Sequence, residues 1–135
     1  MSEPHRGPDG ARSRVLVVDD EQDIIDILSE HLSKTFDVDT AADGGTALAA
    51  VRANPPDVMF LDIHMPGVNG VDVLKSVKEL DPTIAVLMVT ANVDNTLAAE
   101  ALVRGAFSYV PKPFDLRYLD HLVAAALSQR RRRRR

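Results

Sequence analysis

The sequence contains no cysteine, few aromatic residues and no long hydrophobic run. Without cysteine the chain has no disulfide bonds and no thiolate metal site, a composition typical of a reducing compartment. Only 4% of the residues are aromatic although 45% are hydrophobic, so we expect an aliphatic core. No hydrophobic run approaches the roughly 20 residues that span a bilayer, and the polar amino terminus lacks the apolar segment of a signal peptide. These absences predict a cytoplasmic protein.

Charge is distributed unevenly along the 135 residues. Six of the 16 basic residues are the arginines at 130–135, so the rest of the chain contains twice as many acidic as basic residues. An acidic body argues against direct nucleic-acid binding by this domain. The arginine run could contact phosphate or anionic lipid, but we favour a solvated tail or the start of a linker at residues 129–135. Residues 1–13 predict a disordered leader, which leaves residues 14–128 for one folded domain.

Short hydrophobic segments alternate with amphipathic helical segments throughout residues 14–128. A continuous hydrophobic segment of strand length is typical of a strand buried on both faces, as parallel sheets require. The alternation therefore predicts an α/β fold in which a parallel sheet lies between two layers of helices. Helix caps are expected at Asp94 and Asp115, and Gly105 is expected to end the fourth helix. The predicted strands are residues 15–18, 36–40, 58–62, 84–89 and 107–110, and the predicted helices are residues 21–34, 46–53, 71–80, 95–104 and 116–127.

Polar side chains follow four of these strands at the point where each strand ends. They are Asp19, Asp20, Asp62, Thr90 and Lys112. Each has an ordinary alternative: Asp20 could cap the next helix, a threonine is often a turn residue, and a lone lysine is usually solvated. Because the carboxyl ends of parallel strands share one edge, where open α/β sheets bind ligands, we expect the five to line one cleft. Neighbouring acids repel each other, so a cation should lie among them.

Four motifs resemble those of bacterial response-regulator receiver domains, the CheY-like family of two-component systems. They are Val-Val-Asp-Asp-Glu at 17–21, Leu-Asp-Ile-His-Met-Pro-Gly-Val-Asn-Gly at 61–70, Val-Thr-Ala at 89–91 and Tyr-Val-Pro-Lys-Pro-Phe at 109–114. The resemblance covers nearly all of the predicted domain. It implies a flavodoxin-like (βα)5 three-layer sandwich with strand order 2-1-3-4-5, and a phosphorelay switch that is not an enzyme, apart from promoting its own phosphorylation and slow autodephosphorylation.

The resemblance also implies a role for each acid. Asp62 would be the phosphoacceptor, attacking the phosphorus of a phosphohistidine on a partner kinase. Asp20, Asp62 and the backbone carbonyl of His64 would ligate Mg²⁺, with Asp19 acting through water, and Mn²⁺ could replace Mg²⁺. Mg²⁺ takes hard oxygen ligands, so we interpret the His64 imidazole as a flanking side chain and not as a ligand.

The remaining motif residues would bind the phosphoryl group or respond to it. Lys112 would hold one phosphoryl oxygen, and Thr90 with Ala91 would hold another. Family resemblance implies that the Thr90 hydroxyl then moves inward and Tyr109 rotates, which reshapes the face of the fourth helix, fifth strand and fifth helix. Tyr109 could alternatively be a half-buried strand aromatic without that role. The bond from Lys112 to the proline after it is cis in relatives.

The resemblance also implies which residues affect the rate of dephosphorylation and which classes of protein are partners. His64 and Asn92 occupy positions that tune the access of water to the acyl phosphate in this family. A sensor histidine kinase or a histidine phosphotransfer protein would donate the phosphoryl group, a downstream protein or output domain would receive the signal, and a homodimer is left open.

Three hypotheses for the function remain at this point. The leading one is a single-domain switch that acts by protein contact. The second is the receiver portion of a DNA-binding or enzymatic regulator, which a longer native reading frame would favour. The third is a metal-dependent phosphohydrolase with an aspartate nucleophile, which sustained turnover of phosphate esters would favour.

Overall fold

The computed structural model describes residues 12–65, 67–91 and 95–133, in which strands alternate with helices. Asp94 and most of the expected leader lie outside these residues. The alternation follows the hydrophobic pattern closely, and most boundaries differ from the predicted ones by one or two residues. The elements are β1 Arg14–Val18, α1 Gln22–Leu32, β2 Asp37–Ala41, α2 Gly44–Ala53, β3 Val58–Asp62, β4 His64–Met65, β5 Val68–Asn69, α3 Gly70–Leu80, β6 Ala85–Thr90, α4 Asn95–Val103, β7 Ser108–Pro111 and α5 Leu116–Arg133.

The main sheet is parallel, and its strands lie in the order β2-β1-β3-β6-β7. This is the predicted order 2-1-3-4-5, because the five strands of the sheet are the five predicted strands. The other two strands, β4 and β5, form a short antiparallel hairpin directly after β3. The hairpin was not predicted, since two-residue strands carry too few residues to show a periodicity. All five carboxyl ends of the main sheet lie along one edge.

Two hydrophobic clusters cover the two faces of the sheet. Alternate residues of each central strand point to opposite faces, so both residue sets are buried and the strands read as continuous hydrophobic runs. One cluster packs β-strand side chains against α2, α3 and α4, and the other packs them against α1 and α5. Phe60 is fully buried in the second cluster, among mainly aliphatic neighbours. The predicted three-layer architecture and aliphatic core are therefore confirmed.

Two of the predicted helix-end residues, Asp115 and Gly105, have the expected roles. The Asp115 carboxylate accepts hydrogen bonds from the backbone N–H groups of Arg117 (3.0 Å) and Tyr118 (3.3 Å) at the start of α5. Gly105 follows α4 with φ of 106°, a left-handed conformation that glycine adopts without strain. Asp20 does not cap α1, because the N-cap position belongs to Glu21.

Helix α5 continues into the arginine run. A solvated tail was expected there, but Arg130 is buried. Only 6% of its surface is exposed. Its guanidinium donates hydrogen bonds to Asp57 Oδ1 (2.9 Å) and Thr83 Oγ1 (2.7 Å) at the amino edge of the sheet. Arg130 lies three residues after Leu127 on the inner stripe of α5, so helical periodicity turns it toward these acceptors. The side chains of residues 131–135 lie outside the described part of the chain, and the boundary at 128 stays a prediction.

Among the helices that the structure describes, none combines the length and hydropathy of a membrane-spanning segment.

Candidate functional site

The carboxyl edge of the sheet brings together polar groups from four neighbouring strands. Asp19 follows β1, Asp62 and Thr90 end β3 and β6, and Lys112 follows β7. Backbone hydrogen bonds hold these strand ends in place, including one from Lys112 N to Thr90 O at 2.8 Å and one from Ile63 N to Val89 O at 3.0 Å. The predicted convergence on one edge is therefore observed.

Four carboxylates form one cluster at this edge. Asp19, Asp20, Glu21 and Asp62 each contribute an oxygen, and the four oxygens lie within 4.8 Å of one another. Asp19 and Asp62 are buried, whereas Asp20 and Glu21 are exposed. An all-oxygen set of this charge suits a hard divalent cation such as Mg²⁺ and does not favour a softer metal. Asp20 is available to such an ion because it does not cap α1.

The two buried acids are oriented by the backbone in the same way. Asp62 Oδ1 accepts a hydrogen bond from His64 N at 3.1 Å, and Asp19 Oδ1 accepts one from Glu21 N at 2.9 Å. In both, the donor lies two residues after the acid, an arrangement in which a short carboxylate folds back on its own chain. The second oxygen, Oδ2, of each acid is left to face Lys112.

Lys112 lies among three carboxylates. Its Nζ is 3.0 Å from Asp19 Oδ2, 3.2 Å from Glu21 Oε1 and 3.7 Å from Asp62 Oδ2. Burial acts to lower the pKa of the ammonium, but the hydrogen bond to Asp19 and the charges of Asp62 and Asp19 outweigh burial and raise the pKa above its usual value. Lys112 is thus the cation that the repulsion among the acids required.

Asp62 ionises less readily than an ordinary aspartate. Burial is the largest cause, and repulsion from Asp19 adds to it. The hydrogen bond from His64 N and the charge of Lys112 act in the opposite direction, yet the pKa of Asp62 is raised to about 6. The carboxylate therefore carries an unfavourable charge near neutral pH, and a bound cation would relieve it.

The other predicted site residues differ in their burial and position. Thr90 is buried, and its neighbour Ala91 is exposed in a bend. Tyr109 on β7 is 42% exposed, so its ring is not enclosed by the core. The His64 side chain is exposed and lines an open cavity of about 610 Å³ whose other walls include Asp20 and Leu97. Asn92 lies outside the described residues. The bond between Lys112 and the next proline is cis, as the resemblance implied.

Two residues at the site were given no role on sequence grounds. Glu21 belongs to the motif at 17–21 but has no predicted role, and the signal for it is its place directly after two other acids. Gly70 ends the motif at 61–70 without a predicted role, and in the structure it begins α3 and approaches β3 closely. A Cβ there would overlap the carbonyl oxygen of Asp62 and lie 2.7 Å from Ile63 Cα. Glycine is thus required at position 70 by close packing, which sequence pattern does not reveal.

Comparison with known proteins matches this chain to one family. The family profile of the response regulator receiver domain matches residues 15–124. The DNA-binding transcriptional regulator NtrC of Salmonella typhimurium is 39% identical over 118 residues, which cover 87% of this chain and 25% of that protein. The DNA-binding response regulator MtrA of Mycolicibacterium smegmatis is 39% identical over 120 residues, covering 88% of this chain and 52% of that protein.

Solved structures agree with the sequence comparisons. The receiver domain of NtrX from Brucella abortus superimposes with a TM-score of 0.81 at 35% identity, covering 84% of this chain and 98% of that one. A CheY-like receiver domain protein from Methanospirillum hungatei superimposes with a TM-score of 0.86 at 27% identity, covering 90% of this chain and 98% of that one. The chain spans the receiver structures almost completely, but about a quarter of NtrC and half of MtrA.

Proposed function

The chain belongs to the response-regulator receiver domain family, and from this premise we propose that Asp62 is the residue that accepts the phosphoryl group. Receiver domains are the phosphorylation-controlled switches of two-component systems, and they bind Mg²⁺ at an acidic pocket. The proposal rests on the two kinds of charged group that surround Asp62. Its carboxylate belongs to the acidic cluster and also faces the Lys112 ammonium.

In the proposed reaction an Asp62 carboxylate oxygen attacks the phosphorus of a phosphohistidine. An O–P bond forms, the N–P bond breaks, and the donor imidazole leaves with the electron pair and takes up a proton. Such a transfer depends mainly on positioning and charge neutralisation. The hydrogen bond from His64 N supports this role, because it fixes the Asp62 side chain before the donor arrives.

The oxygen cluster fits a magnesium ion. Asp20 and Asp62 would hold it together with the backbone carbonyl of His64, and Asp19 would act through water, with Mn²⁺ as a substitute. When bound, Mg²⁺ supplies positive charge that offsets the negative charge of the phosphoryl oxygens. The raised pKa of Asp62 supports this assignment, because a site in which acids crowd together is stabilised when a cation binds.

Lys112, Thr90 and Ala91 would hold the phosphoryl oxygens, and Tyr109 would respond to them. Lys112 N donates to Thr90 O, which ties the two strand ends together, and Lys112 Nζ lies 3.7 Å from Asp62 Oδ2. Tyr109 lies half-exposed on β7, which supports a ring with an alternative inward position. The response is a shift between two packings.

The face formed by α4, β7 and α5 would carry the signal to a partner. Each of these elements has a large exposed hydrophobic side chain, namely Val103, Tyr109 and Tyr118. Exposed hydrophobic side chains are suited to protein contact. A sensor histidine kinase or histidine phosphotransfer protein would donate the phosphoryl group. The longer relatives NtrC and MtrA are named as DNA-binding regulators, which supports control of an output domain as well as of a separate protein, and homodimerisation through this face fits the same exposure.

We assign residues 14–128 to the receiver domain and place hydrolysis outside its main activity. The family match at 15–124 falls within that range. The aspartyl phosphate would be lost slowly by self-dephosphorylation, and His64 and Asn92 would adjust the rate. Sustained turnover of phosphate esters would instead identify a phosphohydrolase.

Intact-mass analysis after incubation with acetyl phosphate and Mg²⁺ tests the proposal. We expect one phosphoryl group on the native chain and on Asp43→Asn, a control change at an exposed helix cap. Asp62→Asn should remain unmodified, and chelation of Mg²⁺ should prevent labelling of the native chain and of Asp43→Asn. If the aspartyl phosphate is too short-lived for mass analysis, binding of beryllofluoride, a stable mimic of the phosphoryl group, tests the same site. Undiminished labelling of Asp62→Asn would contradict the assignment, as would a native chain that shows neither a phosphoryl adduct nor beryllofluoride binding.

A further inference from the structure

The Lys112 ammonium is bonded to an acid that has no role in the proposed function. Its Nζ lies 3.0 Å from Asp19 Oδ2 and 3.2 Å from Glu21 Oε1, which are hydrogen-bonding distances. The 3.7 Å to Asp62 Oδ2 is too long for a hydrogen bond. Lys112 is therefore held by Asp19 and Glu21, beside the phosphoacceptor but not bonded to it.

Hydrogen bonds fix the backbone of Glu21 on both sides, while its side chain takes no part in capping the helix. Glu21 N donates to Asp19 Oδ1 at 2.9 Å, and Glu21 O accepts a hydrogen bond from Ile24 N at 3.1 Å as α1 begins. Glu21 occupies the N-cap position, yet its side chain makes no capping hydrogen bond. Its carboxylate extends instead to Lys112. A residue that could stabilise the helix end thus contacts the site.

The two bonds of Lys112 differ in what their loss would cost. The Asp19 side chain is 2% exposed, so losing Lys112 would leave a buried carboxylate without its cation. The Glu21 side chain is 59% exposed, and water can solvate it when Lys112 leaves. Lys112 should therefore release Glu21 first when it moves toward a negative group on Asp62.

We propose that Glu21 is a positioning residue that competes with a phosphoryl group on Asp62 for the Lys112 ammonium. The inference rests on the proposed function, because it requires the phosphoryl group to be on Asp62. Glu21 retains Lys112 in the resting state and thereby limits how tightly the phosphoryl group is held. Ion pairs with a solvent-exposed partner such as Glu21 are weak, so removing this one should tighten the binding of a phosphoryl mimic by about two- to fivefold.

Beryllofluoride titration at saturating Mg²⁺ tests the competition. We expect Glu21→Ala and Glu21→Asp both to bind beryllofluoride about two- to fivefold more tightly than the native chain. Aspartate keeps the charge but is one methylene shorter, so it separates the reach of the side chain from its charge. Asp23→Ala is the matched control, because it removes an exposed acid from the first turn of α1 and should leave the affinity unchanged.

Several results would overturn the inference. Two come from the control variants, and one comes from a separate Mg²⁺ titration by NMR. Equal tightening in Asp23→Ala would indicate a general charge effect, and native affinity in Glu21→Asp would show that charge alone matters. A large loss of Mg²⁺ affinity in Glu21→Ala would make Glu21 a metal ligand instead. If the native chain binds beryllofluoride and the Glu21 variants bind it equally, only the competition fails. If the native chain does not bind it, the proposed function fails as well.

Discussion

Replacing Asp62 by asparagine should stabilise the protein at neutral pH when divalent cations are absent. Burial and repulsion from Asp19 raise the pKa of Asp62 to about 6, from an ordinary value of 3.8. The difference of about 2 units corresponds to roughly 3 kcal/mol of unfavourable free energy for the ionised native state. Asparagine has nearly the same shape and carries no charge, so the variant avoids this cost.

The sign of the pH dependence follows from proton binding. Between about pH 4 and pH 6 the native state binds the Asp62 proton more tightly than the unfolded chain does, so native stability falls as pH rises through this window. Below it, the carboxyl is protonated in both states and the penalty vanishes. The free energy of unfolding of Asp62→Asn should therefore exceed that of the native chain by up to about 3 kcal/mol at pH 7.5 and match it near pH 4.

Urea unfolding followed by circular dichroism, with a chelator present, measures this difference across the pH range. Mg²⁺ at 100 times its dissociation constant should offset most of this difference, because it stabilises the native chain by about 2.7 kcal/mol and the variant lacks one of the ligands. Asp43→Asn is the control. Hydrogen bonds from Thr46 lower the pKa of Asp43, so its carboxylate stabilises the native chain more as pH rises, and the variant loses this contribution. The difference in stability between this variant and the native chain therefore changes with pH in the opposite direction. The argument from burial and repulsion would be refuted if Asp62→Asn had no higher free energy of unfolding than the native chain, or if the increase were the same at all pH values.

Two further substitutions test packing and ion pairing in the fold. Gly70→Ala should destabilise the protein by about 1–3 kcal/mol and weaken beryllofluoride binding, because the new Cβ would push on the Asp62 backbone. Gly45→Ala, where a Cβ has space, should be neutral or stabilising in urea unfolding, and equal effects of the two would contradict the packing argument. Arg130→Ala should cost about 2–3 kcal/mol by leaving Asp57 without its cation. The exposed pair of Arg104 makes Arg104→Ala a nearly neutral control, and phosphoryl labelling of both folded variants should persist.

Sequence pattern alone determined the architecture and the approximate content of the site. The hydrophobic period is a local property, so most boundaries of the buried strands and amphipathic helices agree with the prediction to within one or two residues, except the end of α5. The caps at Asp115 and Gly105 are local as well, because they depend on hydrogen bonds and backbone angles within one turn. Once the strands were known to be parallel, their polar carboxyl ends had to meet at one edge, which placed Asp62 and Lys112 together.

Only the tertiary structure decided which of these groups actually touch. Lys112 and Glu21 are 91 residues apart, and their hydrogen bond depends on the position of β7 relative to β1, with β3 and β6 between them in the sheet. The burial of Arg130 likewise depends on acceptors at Asp57 and Thr83, which are far away in the chain. The run of arginines in the sequence suggested a solvated tail. Sequence composition does not show which way a side chain points or which acceptors lie near it. Distances of this kind arise from packing between elements, and the local pattern of residues contains no measure of them.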